Sequence, residues 1–528
     1  MHNFETVLAL LVGVTLLALV ARRFGLPTPA VLVAGGLLVA LVPGLPAVQF
    51  DSQLVFLIFI PPLLFRASLL ASYRDVRATF RPILSLGIGH VLFATVVVAW
   101  IAHRAIPGLP WAAAFALGAV VSPPDVAAAT AFLRRLPIPR RVVTVLEGES
   151  MINDAAAIVA YRMAVAAAVT GTFSLMAASE RFVWVAAGGI AVGLAVGWLI
   201  GAVRRYIHDP EVENTISLLS GYAAFLPAEH FGVSGVLAVV ATGMYLGRMG
   251  PRIVAADTRV QNIGMWEVVI FILEGLIFIL TGLALRPILE GLTGAAALDL
   301  ARAAVLVSLA AIVARLVWVY FAGNFRWLLG PRLRPRQARP RWAYLTVVGW
   351  AGLRGGDTLI LAAAIPTTTA AGVPFPGRDA IIAVSYSVIL VTLLGQGFTL
   401  APLIEWLDVE ETGEEEQREE IGARLRAAEA ALQRLEQLAG EEWMHPDALS
   451  HTRDRYRYRA RHLRGHANGV VDGAVETKSI ANVRLARELL AVERRELLRL
   501  RDHGEISDAV MRRVQRELDY EELLLHHE

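Results

Sequence analysis

The sequence predicts an all-α polytopic membrane protein with about 13 transmembrane helices and a helical tail. Of the 528 residues, 56% are hydrophobic and only 18% are charged, and the mean hydropathy is +0.54. Such values are typical of membrane proteins. Apolar runs of about 20 residues, the length that crosses a bilayer as one helix, recur through the first three quarters of the chain. The remainder is dense in Arg and Glu. We therefore assign residues 1–407 to a transmembrane domain and 408–528 to a cytoplasmic helical tail.

The apolar runs are interpreted in chain order as spans 1 to 13. They lie at residues 4–21, 29–47, 52–70, 82–102, 111–133, 142–170, 182–203, 214–229, 232–248, 262–285, 301–323, 342–366 and 380–406.

Arginine is distributed unevenly between the loops. The loops that follow spans 1, 3, 5, 7, 9 and 11, counted with the adjoining parts of the spans, hold 21 arginines, whereas the alternate loops, counted in the same way, hold 5. Cytoplasmic loops of membrane proteins are enriched in Arg and Lys, so the N-terminus is predicted to lie outside and the tail in the cytoplasm. The first apolar run lacks the positive flank of a signal peptide, and we expect it to be retained as a span.

Two spans are interrupted. Span 5 contains Pro123-Pro124, and span 12 contains the glycine-rich segment Gly352–Gly356. They lie seven spans apart, so spans 1–6 and 8–13 are predicted to form two inverted repeats. Helices broken at matching positions of such repeats commonly mark the substrate site of a transporter.

Acidic residues lie inside the apolar spans beside the first interruption. Asp125 directly follows the two prolines, and Asp154 lies on span 6, roughly 20 Å from Arg141 at about 1.5 Å per residue. That depth is near mid-membrane, where a carboxylate is costly and is therefore a functional candidate. For Asp125, a structural role as the N-cap of the helix that follows the prolines is the alternative.

Oxygen ligands would converge here if spans 5 and 6 pack together. Proline has no N–H, so the carbonyls of Ala119 and Val120 lose their helical donors, and the carbonyl of Pro124 is displaced. Ser150 lies one turn before Asp154 on the same helical face, although helix packing alone would also explain a serine there. Two carboxylates close together in a low dielectric need a cation or a proton between them. The predicted cage consists of Asp125, Asp154, Ser150 and the Pro124 carbonyl.

Glu149 also requires a buried partner. Its depth in span 6 matches that of Arg315 in span 11, which predicts a buried pair, since either charge alone would be costly. Arg354, in the interruption of span 12, is the alternative partner. Asp357 lies one turn after Arg354 and is in turn a candidate partner for it.

These segments resemble the monovalent cation:proton antiporter family of the NhaP and eukaryotic NHE type. The resemblance covers most of residues 1–405 and is strongest in four segments, Ser122–Ala127, Glu149–Asp154, Ala314-Arg315 and Gly352–Gly355. The chain departs from the family pattern at Pro124, which replaces Thr, at Val126, which replaces Pro, and at Asp357, where the family usually has an apolar residue.

The resemblance also implies roles for individual residues. Asp154 would carry the ion or the proton, and Asp125, Ser150 and the Pro124 carbonyl would complete the site. Beside it, Glu149 and Arg315 would form a structural salt bridge, Asn153 would cap or steady span 5, and Arg354 would support the site.

The implied activity is secondary active exchange of Na⁺, or of K⁺ or Li⁺, for H⁺ by a homodimer in a bacterial inner membrane, through alternating access and without a cofactor. Electrogenic relatives have two aspartates where this chain has Asn153-Asp154, so we expect one cation per proton and no net charge movement. A K⁺/H⁺ or broad-specificity exchanger and a cation or pH sensor that does not transport remain as alternatives.

Other classes of function find less support in the sequence. The spans show no nucleophile–base set, so an enzyme is not expected. The net charge of +2 offers no footprint for nucleic acid, and the absence of cysteine excludes disulfides and thiolate metal sites.

Overall fold

The computed structural model describes residues 2–42, 52–133, 138–171, 175–284, 295–328, 341–370, 372–409, 414–441, 443–467, 473–503 and 505–525. Regular structure within these residues is helical, apart from one isolated bridge between Thr368 and Pro374. The all-α fold class is therefore confirmed. The chain forms two compact units, Met1–Glu411 and Thr412–Glu528. The assignment of these units to membrane and cytoplasm stays a prediction.

The first unit contains helices that we number in chain order. They are α1 (His2–Arg23), α2 (Thr28–Ala40), α3 (Ser52–Leu70), α4 (Tyr73–Ala78), α5 (Phe80–Leu84), α6 (Val91–Ala105), α7 (Trp111–Val121), α8 (Val126–Leu133), α9 (Arg140–Thr170), α10 (Leu175–Arg204), α11 (Pro210–His230), α12 (Gly235–Ile253), α13 (Ala256–Leu283), α14 (Ala295–Leu328), α15 (Trp342–Trp350), α16 (Gly356–Ala363), α17 (Arg378–Leu390) and α18 (Gly397–Trp406). Two π-helical segments, Ser85–His90 and Val391–Gln396, join α5 to α6 and α17 to α18.

Seven helical stretches of the described chain are long and apolar enough to cross a membrane. They are Glu5–Arg23, Phe80–Ala105, Val142–Thr170, Glu180–Arg204, Ala256–Leu283, Leu298–Phe325 and Arg378–Trp406, and shorter apolar helices lie at Thr28–Ala40, Leu57–Leu70 and Trp111–Val121. The count of 13 spans and the inverted repeats stay predictions. Some of the residues on which these two predictions rest lie outside the described residues. They are the ends of predicted spans 2 and 10 and the loop residues Arg134, Arg135, Arg286, Arg332, Arg334, Arg336 and Arg339.

The helices of the first unit pack as two bundles. Helices α1–α3 and α10–α13 contact mainly one another, as do α5–α9 and α14–α18. Small residues allow close backbone approach in the first bundle, since Gly36 of α2 faces Gly282 of α13 and a Cβ on Gly282 would lie 2.7 Å from the Gly36 Cα. Close approach through glycine is typical of helix packing in membranes, where apolar burial alone gives little driving force.

Polar contacts connect the two bundles. The Arg162 guanidinium of α9 donates to the Glu229 carboxylate of α11 at 2.9 Å, and the Tyr386 hydroxyl of α17 donates to the Gly282 carbonyl at 3.2 Å.

The second unit consists of two helical hairpins. Helices α19 (Glu414–Leu438) and α20 (Pro446–Ala467) pack together, as do α21 (Gly473–Asp502) and α22 (Asp508–Leu525). Ion pairs join the partners, with Arg453 at 3.0 Å from Glu436 and Arg494 at 2.6 Å from Asp519. The helical nature predicted for the tail is thus confirmed.

We expect Gly282→Ala to destabilise the first bundle, because the new Cβ would overlap the backbone of α2 around Val33 and Gly36. Overpacking of this kind costs about 1–3 kcal/mol. Gly264→Ala on the same helix is the matched control, because no atom lies within 4 Å of its Cβ position. Thermal unfolding of the two purified variants in detergent checks this. Equal midpoints would show that the α2–α13 contact adapts without cost.

Candidate functional site

The site is built around two helix interruptions. Helix α7 ends at Val121 and α8 begins at Val126, so that Ser122–Asp125 are not helical. Pro123 and Pro124, which are buried, have no N–H with which to continue the helix. In the second interruption α15 ends at Trp350, and α16 begins at Gly356.

The two interruptions are held to each other by reciprocal hydrogen bonds. The Asp125 N–H donates to the Leu353 carbonyl at 2.8 Å. In the other direction, the Arg354 Nε donates to the Val121 carbonyl at 2.6 Å. The Val121 carbonyl would have been paired with the Asp125 N–H in a continuous helix. Each interruption therefore supplies the partner that the other one lacks.

Arg354 is buried, with 1% of its surface exposed. Besides Val121 it donates to the Gly352 carbonyl through Nη1, and its own N–H donates to the Thr392 hydroxyl at 3.0 Å. A cation at the C-terminal end of α7 is also favoured by the helix dipole. The hydrogen-bond partners of the Arg354 side chain are thus backbone carbonyls. Glu149 is paired with Arg315 instead, so the alternative pair Glu149–Arg354 is not formed.

Two backbone carbonyls of the first interruption, those of Ala119 and Pro124, have side-chain donors. The Ser122 hydroxyl lies 3.3 Å from the Ala119 carbonyl and donates to it. The Asn153 Nδ2 donates to the Pro124 carbonyl at 2.9 Å. A carbonyl oxygen has two lone pairs, so the Pro124 carbonyl can accept this bond and still face a cation. The predicted contact of Asn153 with the interrupted span is present.

Asp125 begins helix α8. Its Oδ1 accepts a hydrogen bond from the Ala128 N–H at 3.1 Å, which is the geometry of an N-cap. Its Oδ2 lies against Gly355, where any Cβ would overlap it. The N-cap interpretation of Asp125 is therefore correct in geometry, but it occupies only one of the two carboxylate oxygens.

Asp154 lies in the middle of the uninterrupted helix α9. Only 8% of its surface is exposed, and the adjacent Asn153 donates to the carbonyl of Pro124, the residue before Asp125. No hydrogen bond to its carboxylate comes from the residues that the structure describes. Ser150 is half-buried one turn earlier on α9. The structure thus brings Asp125 and Asp154 into one neighbourhood, whereas cation ligation by Ser150 and Pro124 stays a prediction.

Glu149 forms the buried pair that its depth predicted. The Arg315 Nη2 donates to Glu149 Oε2 at 2.7 Å, and Nη1 contacts Oε1, so the pair is bidentate. The side chains are 0% and 1% exposed. Arg315 also donates to the Val348 carbonyl at 3.3 Å and lies 3.5 Å from His90 Nδ1. The pair connects α9 to α14, and the bond to Val348 connects both to α15.

Sequence reasoning did not identify the Leu353 carbonyl, Thr392 or His90. A signal for the first exists, because an interrupted helix frees carbonyls in span 12 just as it does in span 5. Thr392 and His90 lie far from the motifs in sequence, and nothing local distinguishes them.

Comparison with known proteins identifies the family. A family model described as the transmembrane sodium/hydrogen exchanger matches residues 7–406. The chain belongs to the sodium/hydrogen exchanger family. The family is one of transporters rather than enzymes, and it places the chain among multi-pass membrane proteins that carry out cation:proton antiport.

Several relatives share this family. An uncharacterised Na⁺/H⁺ exchanger of Mycobacterium tuberculosis is 35% identical over 98% of this chain and 95% of its own length. A sodium, potassium, lithium and rubidium/H⁺ antiporter of Bacillus subtilis is 32% identical over 75% of this chain and 60% of its own length. The sodium proton antiporter MjNhaP1 of Methanocaldococcus jannaschii, solved at pH 8, shares the fold with a TM-score of 0.62. It is 20% identical, and the match covers 78% of this chain and 99% of that one.

Gly355→Ala should displace Asp125, because the added Cβ would overlap the Asp125 Oδ2. We expect the rate of cation:proton exchange in proteoliposomes to fall by about tenfold or more, since misplacing a reacting group by about 1 Å costs up to 100-fold. Gly395→Ala is the control, because no atom lies within 4 Å of its Cβ position. Wild-type exchange by the Gly355 variant would mean that Asp125 can be moved without consequence.

Glu149→Gln should destabilise the fold by about 3–5 kcal/mol, because it leaves the Arg315 charge buried without a counter-charge. The comparison is Arg302→Gln, which removes an exposed pair with Asp299 (3.7 Å) and should cost less than about 1 kcal/mol. Denaturant unfolding in detergent measures both. Similar losses in the two variants would contradict a structural role of the buried pair.

Proposed function

We propose that the protein is a secondary active antiporter that exchanges Na⁺ for H⁺ by alternating access, with K⁺ and Li⁺ as further candidate cations. The observation that carries this proposal is Asp154, which is buried in mid-helix beside Asp125 and receives no hydrogen bond from the described residues. An acid of this kind is stable only while a proton or a cation is bound. Competition between the two at one carboxylate is sufficient to couple their movements in opposite directions.

The site residues have distinct roles in this proposal. Asp154 takes the proton or the cation, while Asp125, Ser150 and the Pro124 carbonyl supply further oxygen ligands. Carboxylate and carbonyl oxygens are the ligands preferred by hard cations. Supporting roles belong to Asn153, which holds the Pro124 carbonyl, to the Glu149–Arg315 pair, and to Arg354, which holds the two interruptions together.

The cycle proposed is one cation for one proton. Asp154 is protonated from outside, releases the proton to the cytoplasm and returns with a cation. Asn153 is neutral, so one carboxylate of α9 changes its occupant and no net charge moves.

The proposal includes a membrane arrangement. The protein would lie in a bacterial inner membrane as a homodimer with 13 spans in two inverted repeats, spans 5 and 12 broken, the N-terminus outside and the tail in the cytoplasm. The loop arginine asymmetry supports this orientation, and the two interruptions described above support the broken spans.

Broad cation specificity is the second candidate function. The Bacillus subtilis relative is named for four alkali cations, and an oxygen cage selects between cations by its size and ligand number rather than by residue type. Specificity for Na⁺ and specificity for several alkali cations are therefore tested in one proteoliposome experiment, by adding each cation in turn.

Asp154→Asn should abolish exchange without unfolding the protein, because the amide has a similar shape but cannot take up a proton or balance a cation. The measurement is pH change inside proteoliposomes on addition of Na⁺, Li⁺ or K⁺, with the membrane potential clamped. Asp379→Asn is the control, since that side chain is fully exposed. Sodium-driven proton flux through the Asp154 variant would rule out the assignment. Ion binding by the wild-type protein without any flux would instead identify a sensor.

A further inference from the structure

Two described turns of the first unit are π-helical, and one of them already has a place in the site. In the segment Val391–Gln396, the Thr392 hydroxyl accepts the Arg354 N–H at 3.0 Å. The other segment, Ser85–His90, joins α5 to α6. Single π-helical turns are rare and are found frequently at functional sites, so the contacts of Ser85–His90 bear on function.

Gly87, in the middle of this turn, is buried against α9. A Cβ at Gly87 would lie 2.9 Å from the Ile152 Cβ and 3.4 Å from the Asn153 backbone nitrogen. Carbon atoms that are not bonded to each other pack at about 3.5–4.0 Å, so a side chain at this position would force α9 and the turn apart. The turn therefore meets α9 at the two residues that directly precede Asp154.

Both ends of the same turn are held by α14. The Trp318 Nε1 donates to the Ser85 carbonyl at 2.9 Å, and the Arg315 Nη1 lies 3.5 Å from the His90 Nδ1. Arg315 is in turn bonded to Glu149 of α9 at 2.7 Å. Because the turn is held in this way, a side chain added in its middle would displace α9 rather than the turn.

Asp154 lies on the side of α9 that faces away from this contact. Successive residues of an α-helix are rotated by about 100°, so Ile152 and Asp154 lie about 200° apart around the axis of α9. Asn153, between them, donates to the Pro124 carbonyl of the first interruption at 2.9 Å. A shift of α9 away from Gly87 would therefore change the position of Asp154 relative to the broken helix.

We propose that Gly87 is a positioning residue for ion binding at Asp154, because its lack of a side chain sets how closely α9 approaches the π-helical turn. This inference rests on the proposed antiport at Asp154. The groups of a binding site must be held within about 0.5 Å of the productive geometry. Lengthening a contact of 2.9 Å at Gly87 to about 3.5 Å requires a shift of that size.

Gly87→Ala should raise the KM for Na⁺ by about tenfold, since misplacing a reacting group by about 1 Å costs up to 100-fold. It should also lower the unfolding temperature, because it overpacks the contact with α9. The matched control is Gly323→Ala on α14, whose Cβ would lie 2.7 Å from the Leu345 Cδ2. Gly323 lies eight residues beyond Arg315, or about 12 Å along the helix. The control should lower the unfolding temperature and keep the KM within about twofold of the wild type.

Ile152→Ala tests the same contact from the side of α9 and leaves the turn unchanged. It removes the Ile152 Cγ2, which lies 3.0 Å from the Cβ position of Gly87. Helix α9 can then settle closer to the turn, so the KM for Na⁺ should also rise. In the double variant the new methyl group fills part of the space that the deletion leaves. Its rise in KM should therefore be smaller than the product of the two single rises.

The experiment measures two quantities for the wild type and each variant. They are the KM for Na⁺ in proteoliposomes and the rise in unfolding temperature that Na⁺ produces in detergent, which reports binding without transport. A wild-type KM in Gly87→Ala would make Gly87 a packing residue and overturn the proposal. Equal rises in KM in the two glycine variants would overturn it too, as would effects of Gly87→Ala and Ile152→Ala that simply multiply.

Two further outcomes are decided by the same measurements. If Gly87→Ala does not fold, Ile152→Ala, which adds no volume, decides by its KM, and a wild-type value would overturn the proposal. If the wild-type protein moves no ions but is still stabilised by Na⁺, the proposed antiport fails, and the role of Gly87 is decided by the Na⁺ dependence of the unfolding temperature. An absence of any Na⁺ effect in both measurements would overturn both proposals.

Discussion

The reciprocal hydrogen bonds between the two interrupted helices are the interaction on which the rest of the site depends. A broken helix exposes backbone donors and acceptors, and an unpaired one in an apolar environment costs several kcal/mol, or about 2–7. Here the Asp125 N–H is accepted by Leu353, and the Val121 carbonyl is bound by Arg354. Each interrupted helix therefore depends on the other for a hydrogen-bond partner. The position of Asp125 is thus determined by a segment more than 200 residues away in the chain.

A second consequence is that the acids of the site differ in how firmly they are held. Asp125 is held at its backbone, where its N–H donates to the Leu353 carbonyl, and at its side chain, where Oδ1 accepts the Ala128 N–H. Glu149 is bound by two nitrogens of Arg315. Asp154 lies on the continuous helix α9, which fixes its backbone while its carboxylate receives no hydrogen bond from the described residues. Of these three acids, Asp125 and Glu149 are held by hydrogen bonds to their carboxylates, and Asp154 is the one to which we assign the exchange of a proton for a cation.

The sequence predicted which residues belong to the site better than it predicted the contacts between them. Proline pairs, glycine runs and buried acids are local signals, so the interruptions at Pro123-Pro124 and Gly352–Gly356 were predictable from residue type alone. The Glu149–Arg315 contact followed from matched depth, because each charge needed a partner in the same layer. The pairing of Arg354 with backbone carbonyls was not predictable, since a guanidinium can donate to carboxylates or to carbonyls and the sequence does not show which carbonyls are free. The π-helical segment that places Thr392 beside Arg354 also leaves no distinctive residue pattern.

Asn153 shows how one residue can meet a structural and an electrostatic requirement together. Its Nδ2 donates to the Pro124 carbonyl, and an ionised aspartate has no hydrogen to donate. An aspartate at this position would lose that bond, turn two electronegative oxygens toward each other and add a second charge next to Asp154. The amide instead secures the displaced carbonyl and adds no charge next to Asp154, while the nearby Glu149 is bound by Arg315. In the proposed antiport, one exchangeable carboxylate per site would match the exchange of one cation for one proton, and the amide that steadies the broken helix adds no second charge there.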